Sequence, residues 1–154
     1  MSESVNVFAL VGEADPTDPP GFRARMARFG PSIGAEQLGA SVYLLDPGEA
    51  ICPYHYEFPD EEWLVVLEGN PTVRDPDGEH VLEPGDLVVF REGPEGAHRV
   101  SNGADRPGPA RVMMLSTKSA TAVCVYPDSD KVGVWPLGKL FKLGDAVDYF
   151  DGEV

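Results

Sequence analysis

Apolar and polar residues alternate over short stretches of this chain, and nearly every stretch ends in a turn signal. Period-two alternation over four to eight residues marks strands with one face buried. From Ala40 onward the pattern is regular. Ser41 to Leu45 reads as a strand ended by Asp46-Pro47-Gly48, followed by Pro53 to Glu57 and by Glu62 to Glu68, which Gly69-Asn70 closes. Thr72 to Arg74 and Glu79 to Leu82 flank Asp75-Pro76-Asp77-Gly78, a hairpin signal. Leu87 to Phe90, Ala97 to Val100, Ala110 to Ser116 and Thr121 to Tyr126 continue the series. Lys139 to Lys142 and Val147 to Phe150 read as edge strands or an interface arm. Phe22 to Phe29 fits a short strand or a helical turn, and the polar, proline-broken residues 1 to about 21 form an irregular arm. Short strands at this spacing predict an all-β sandwich or barrel.

Composition agrees with that picture. The 154 residues suit one domain with a core that needs no disulfide support, and 17 glycines with 15 prolines favour turns over long helices. We divide the domain into residues 1–39 (arm and first strands), 40–120 (barrel) and 121–154 (last strands and tail of the same domain). No apolar run reaches the roughly 18 residues of a membrane span, and the N-terminus lacks a secretory signal, so a cytoplasmic location is expected. The net charge of -14 argues against nucleic acid and anionic membranes as partners. Two cysteines, Cys52 and Cys124, are too few for a disulfide framework and are expected reduced. Cys52 reads as a small half-buried apolar residue rather than a thiolate ligand.

The candidate chemistry lies in Pro53-Tyr54-His55-Tyr56-Glu57 and in Glu62. Residues two apart on a strand share a face, so His55 and Glu57 can converge, and Glu62 opens the next strand. Tyr54 and Tyr56 then face the other way, and Trp63 is expected in the core. His80 lies in a polar hairpin return and is left out of the site. No Ser-x-x-Lys, Gly-x-Ser-x-Gly or phosphate-loop element supports nucleophilic or nucleotide chemistry.

The wording around these residues resembles the cupin superfamily, whose motifs are G-x5-H-x-H-x(3,4)-E-x6-G and G-x5-P-x-G-x2-H-x3-N. The first motif corresponds to Gly48 through His55, Glu57 and Glu62 to Gly69, and the second to Gly85 through Gly93, His98 and Asn102. Glu57 stands at the second histidine of H-x-H, Arg91 at the proline, and two extra residues precede His98. The segments Glu61 to Gly69, Leu82 to Asp86, Tyr126 to Val134 and Gly144 to Tyr149 also look like small single-domain cupins. The resemblance implies a double-stranded β-helix, the cupin jelly-roll barrel, with metal ligands His55, Glu57, Glu62 and His98. Such a His2Glu2 set suits a divalent transition metal, Mn, Fe, Ni or Zn. The alternative is that Glu57 turns away to an arginine and leaves a three-ligand pocket.

Two functions follow from the resemblance. One is a metal-dependent dioxygenase or isomerase acting on a small polar molecule. The other is a non-catalytic module that binds or senses a small-molecule ligand without a required metal. Arg91 reads as an exposed strand-end residue, the alternative being a grip on an anionic substrate at the barrel mouth. Pairing through sheet edges and arms, residues 1–21 and 138–150, implies a homodimer.

Overall fold

The computed structural model describes residues 3–154. Twelve strands form in chain order: β1 Arg25–Arg28, β2 Leu38–Leu45, β3 Tyr56–Phe58, β4 Glu62–Glu68, β5 Thr72–Asp75, β6 Gly78–Val81, β7 Leu87–Phe90, β8 Arg99–Ser101, β9 Ala110–Thr117, β10 Ala122–Tyr126, β11 Lys131–Trp135 and β12 Lys139–Lys142. They make an antiparallel five-stranded sheet in the order β1-β2-β9-β4-β7, a four-stranded sheet β12-β11-β10-β3 and a three-stranded sheet β6-β5-β8. This is an all-β jelly roll: the strand pattern predicts the all-β class, and the cupin resemblance implies the jelly roll.

Register decides what faces the interior. Directly opposed residues of antiparallel strands share a face. Along β2, β9, β4 and β7 the inward rows are Gly39–Ser116–Glu62–Phe90, Ser41–Met114–Leu64–Val88 and Tyr43–Val112–Val66. The main core gathers Leu45, Leu64, Val73, Phe90, Val100 and Val112, all almost fully buried. A second cluster lies on the outer face of the large sheet, where Phe29, Ala40 and Val42 are covered by Val5, Val7, Leu10 and Ile33 of the N-terminal segment. The arm is therefore part of the packing, and β1 resolves the Phe22–Phe29 ambiguity as a strand.

Several expectations need correction. Val147 to Phe150 forms no strand; it lies in exposed turns, while β11, a strand the alternation did not suggest, pairs with both β10 and β12. The segment Pro53 to Glu57 becomes regular only at Tyr56, and Ala97 to Val100 only at Arg99. Trp63 is not core: it sits on the outward face of β4, 40% exposed, donating Nε1–H to Glu61 at 2.7 Å.

Two residues flanking His98, Gly96 in the loop before it and Asn102 of the second motif, have structural tasks. Gly96 passes so close to Arg91 that a Cβ there would lie 1.7 Å from its carbonyl oxygen, so only glycine lets the loop turn toward His98. Asn102 is buried, and its Nδ2 donates to the carbonyls of Leu45 and Gly108, both at 3.0 Å. Those bonds pin the end of β2 to the loop before β9. We expect Asn102→Leu to cost about 2–4 kcal/mol of stability in urea unfolding, because buried carbonyls lose their donors. An unchanged midpoint would show that the amide is replaceable.

Candidate functional site

The two histidines stand outside the regular strands, just before β3 and β8, and are joined by their own backbones. His55 donates its amide to the His98 carbonyl at 3.0 Å, and His98 returns the bond at 2.8 Å. Their rings lie 4.7 Å apart, and both are nearly buried. In each ring Nδ1 is 3.0 Å from a carbonyl two residues upstream, Pro53 for His55 and Gly96 for His98. A carbonyl only accepts, so each Nδ1 carries the hydrogen and Nε2 faces the cavity. The Phe90 ring stacks on His98 at 3.6 Å and fixes its plane.

Glu62, at the start of β4, completes the cluster. Its Oε2 lies 3.4 Å from His98 Nε2 and 3.7 Å from His55 Nε2. Glu57 is further away, with Oε1 4.0 Å from His55 Nε2. The ligand atoms of His55, Glu62 and His98 lie within 4.8 Å of one another, as do those of His55, Glu57 and Cys124. All four residues picked from the sequence thus line one cavity, of about 280 Å³. Nitrogen and carboxylate donors at this separation fit a divalent first-row cation.

Electrostatics divides the protons unevenly. Burial lowers the pKa of His98 to about 4, with the neighbouring His55 reinforcing it. Burial also opposes a charge on His55, but its hydrogen bonds with Cys52 and Glu62 prevail and raise the pKa. Burial likewise works against the Glu62 carboxylate, yet the two imidazoles outweigh it and its pKa falls. Glu57 has weaker support, from His55 and Cys124. Burial and the Glu62 charge raise its pKa, which favours proton exchange there.

Sequence reasoning missed part of the wall. Tyr43, Cys124 and Tyr126 also line the cavity, and Cys52 approaches His55 Nδ1 at 3.4 Å, closer to the site than an apolar filler needs to be. Cys124 and Tyr126 come to the wall because β10 pairs with β3 and sets Cys124 opposite Glu57, a pairing that no local sequence pattern announces. The remaining expectations are placed elsewhere. Tyr54 turns away and lies under Arg74, 4.0 Å from the guanidinium; Tyr56 packs edge-on against Phe58. His80 is exposed beside Asp75 at 3.2 Å. Arg91 is exposed on the outer surface with Trp63 and Val89, away from the cavity.

The match to a family model settles the affiliation: residues 41–116 match the cupin domain. The chain is a small cupin-domain protein. No curated protein matches the sequence. Among solved structures this cupin is similar to a candidate sugar phosphate isomerase of Acidithiobacillus ferrooxidans, at 23% identity and TM-score 0.81, over 92% of this chain and 91% of that one. It is also similar to a cupin-superfamily sugar phosphate isomerase of Silicibacter pomeroyi, at 23% identity and TM-score 0.80, over 97% and 98%. The polyketide cyclase RemF of Streptomyces resistomycificus aligns at 18% identity and TM-score 0.61, over 76% and 80%. At these identities the likeness is one of fold. Among the described residues no helix is long and apolar enough to cross a membrane.

The proton distribution has a measurable consequence in metal-free protein. Between pH 6.5 and about 4 the unfolded chain takes up the proton that folded His98 refuses, so His98 makes stability fall as pH drops. Above pH 6.5 the contribution of His55, whose folded pKa is raised, is lost as pH climbs toward that pKa. Urea unfolding of chelator-treated His98→Gln should show the acid-side slope reduced by up to about 1.4 kcal/mol per pH unit relative to the parent. Equal slopes would mean that His98 is protonated in the folded state.

Proposed function

We propose that this cupin is a divalent-metal-dependent enzyme acting on a small polar molecule, with isomerase-type proton transfer as its reaction class. The observation that carries the reading is the convergence of both Nε2 atoms on Glu62 while both Nδ1 atoms are held by backbone carbonyls. Such outer hydrogen bonds orient imidazoles for a cation before one arrives. His55, Glu62 and His98 would hold the ion, with Glu57 as the fourth and more weakly held ligand. When bound, the ion would polarise a carbonyl or hydroxyl oxygen of the substrate.

The remaining roles belong to the chain. Glu57, with its raised pKa, is suited to take a proton from a substrate carbon or hydroxyl and return it to a neighbouring atom. Tyr43 and Tyr126 stay protonated, since burial foremost pushes their phenols up, to about 12 and higher, and they offer donors to substrate oxygens. The names of the two sugar phosphate isomerases of like fold favour isomerisation over oxygen-dependent cleavage.

A dimer is the assembly we propose. The tail exposes Leu140, Phe141, Val147, Tyr149 and Phe150, and the large sheet exposes Leu38, Trp63, Leu87 and Val89. Burying such side chains against a second copy would supply the apolar contact that a stable dimer needs.

Protein loaded with Mn2+, Ni2+ or Zn2+ and desalted should retain about one ion per chain, with His55→Ala and His98→Ala each lowering affinity at least about tenfold. Glu62→Gln should weaken binding more than Glu57→Gln does. Metal content indifferent to His55 and His98 would remove the site. Loading should also displace the His55 proton, so affinity should fall as pH falls; calorimetry in two buffers of different ionisation enthalpy reads the released proton. Light scattering should give about twice the 16.6 kDa chain mass, and a monomer would dismiss the dimer.

A further inference from the structure

A second cavity, of about 300 Å³, shares the walls Tyr43, Glu62 and Met114 with the first, so the two are neighbours. Its character is different. Ser41 and Ser116 project into it from β2 and β9, and Arg28 and Lys118 stand at its solvent-facing end. Register explains the grouping. Arg28 opposes Ser41 across β1 and β2, and Ser116 opposes both Gly39 and Glu62. Arg28, Ser41, Ser116 and Glu62 therefore lie on one sheet face, and Lys118 follows directly after β9.

Three further observations bear on its use. Among the described residues Arg28 and Lys118, like most cations of the chain apart from Arg25, Arg74 and Arg111, make no ion pair with a carboxylate and are available to a ligand. In a chain of net charge -14, this cavity brings two such cations together. The Glu62 carboxylate at the shared wall faces the histidines, with Oε2 3.7 Å from His55 Nε2 and 3.4 Å from His98 Nε2. Finally, the pocket is kept open by a missing side chain. A Cβ at Gly39 would lie 2.6 Å from the Ser116 hydroxyl oxygen, so any larger residue would displace the hydroxyl that faces the cavity.

We propose that this cavity is an anion subsite that takes the phosphate group of a small phosphate ester. Arg28 and Lys118 neutralise the charge, since a guanidinium and an ammonium together suit a tetrahedral dianion. The hydroxyls of Ser41 and Ser116 donate to its oxygens. The rest of the ligand extends past Tyr43 and Met114 to the histidine cluster. The proposal deepens the function proposed above by naming the substrate class at the same site, but the phosphate grip itself does not require the metal.

Inorganic phosphate is the probe, titrated into the full-length protein both as purified and after chelation, with chloride and acetate at matched ionic strength and pH. At about ten times its dissociation constant phosphate should raise the thermal midpoint by about 3 °C or more over chloride. Arg28→Gln/Lys118→Gln, changes at exposed positions, should abolish that shift, and Gly39→Ala should reduce it. Bound metal is measured on the same samples. A phosphate shift that persists without metal, and without any metal affinity, supports the subsite while removing the metal reading. No phosphate-specific shift, or an equal shift in the double variant, overturns the subsite. A shift as large with acetate assigns the pocket to carboxylates and overturns the phosphate ester.

Discussion

The reciprocal backbone pair between His55 and His98 is the constraint on which the site depends. Residues that exchange both main-chain bonds in an antiparallel pair must project from the same face. That alone brings together two imidazoles from segments 43 residues apart, one leading into the β3 sheet and the other into the β8 sheet. The same local arrangement occurs at both positions: the chain bends so that Nδ1 reaches the carbonyl two residues earlier. Ring orientation is consequently set in large part by backbone, with the Phe90 ring stacked on His98 as the side-chain contribution. Gly96 is needed for this reason, because the loop that presents the second carbonyl crosses Arg91 too closely for a Cβ.

Such an arrangement is costly without a cation. Two carboxylates and two imidazoles share a cavity in which burial penalises every charge, and the protons settle where pairing is best. Glu62 stays ionised because its hydrogen bond with His55 leads the interactions that outweigh burial, whereas for Glu57 burial and the Glu62 charge outweigh the help of His55 and Cys124. The two acids are chemically alike but differ in environment. That difference separates a firmly held carboxylate from one free to exchange a proton.

The short apolar runs bounded by polar residues or turns were the most legible in the sequence. β4, β7 and β12 have the boundaries that the pattern indicates, since their polar-apolar switch coincides with a turn at each end. β11 was not legible because Gly133 interrupts its apolar face at the residue where it lies opposite Cys124. Val147 to Phe150 misled because aromatic residues raise strand propensity even where no neighbour pairs with them. Trp63 misled for a related reason: size suggests burial, but its place between Glu62 and Leu64 sets it on the outer face. Of the site, His55, Glu57, Glu62 and His98 were readable from motif spacing. Cys124 and Tyr126 were not, since no local pattern announces that β10 lies beside β3. The anion pocket was hidden as well, because Arg28 and Ser116 are 88 residues apart and only register joins them.

Register also explains why chemistry and stability do not compete for the same positions. Read inward along β2, the facing residues are Gly39, Ser41, Tyr43 and Leu45; along β9 they are Ser116, Met114, Val112 and Ala110; along β4, Glu62, Leu64 and Val66. Each series begins with a polar or absent side chain and ends with an apolar one. Antiparallel pairing aligns the series, so the polar ends of three strands meet at one mouth and the apolar ends close the base. Leu45, Leu64 and Val112 are fully buried there and supply packing energy. A barrel with this gradient can change its mouth residues, and therefore its ligand, while the base holds the strands in register.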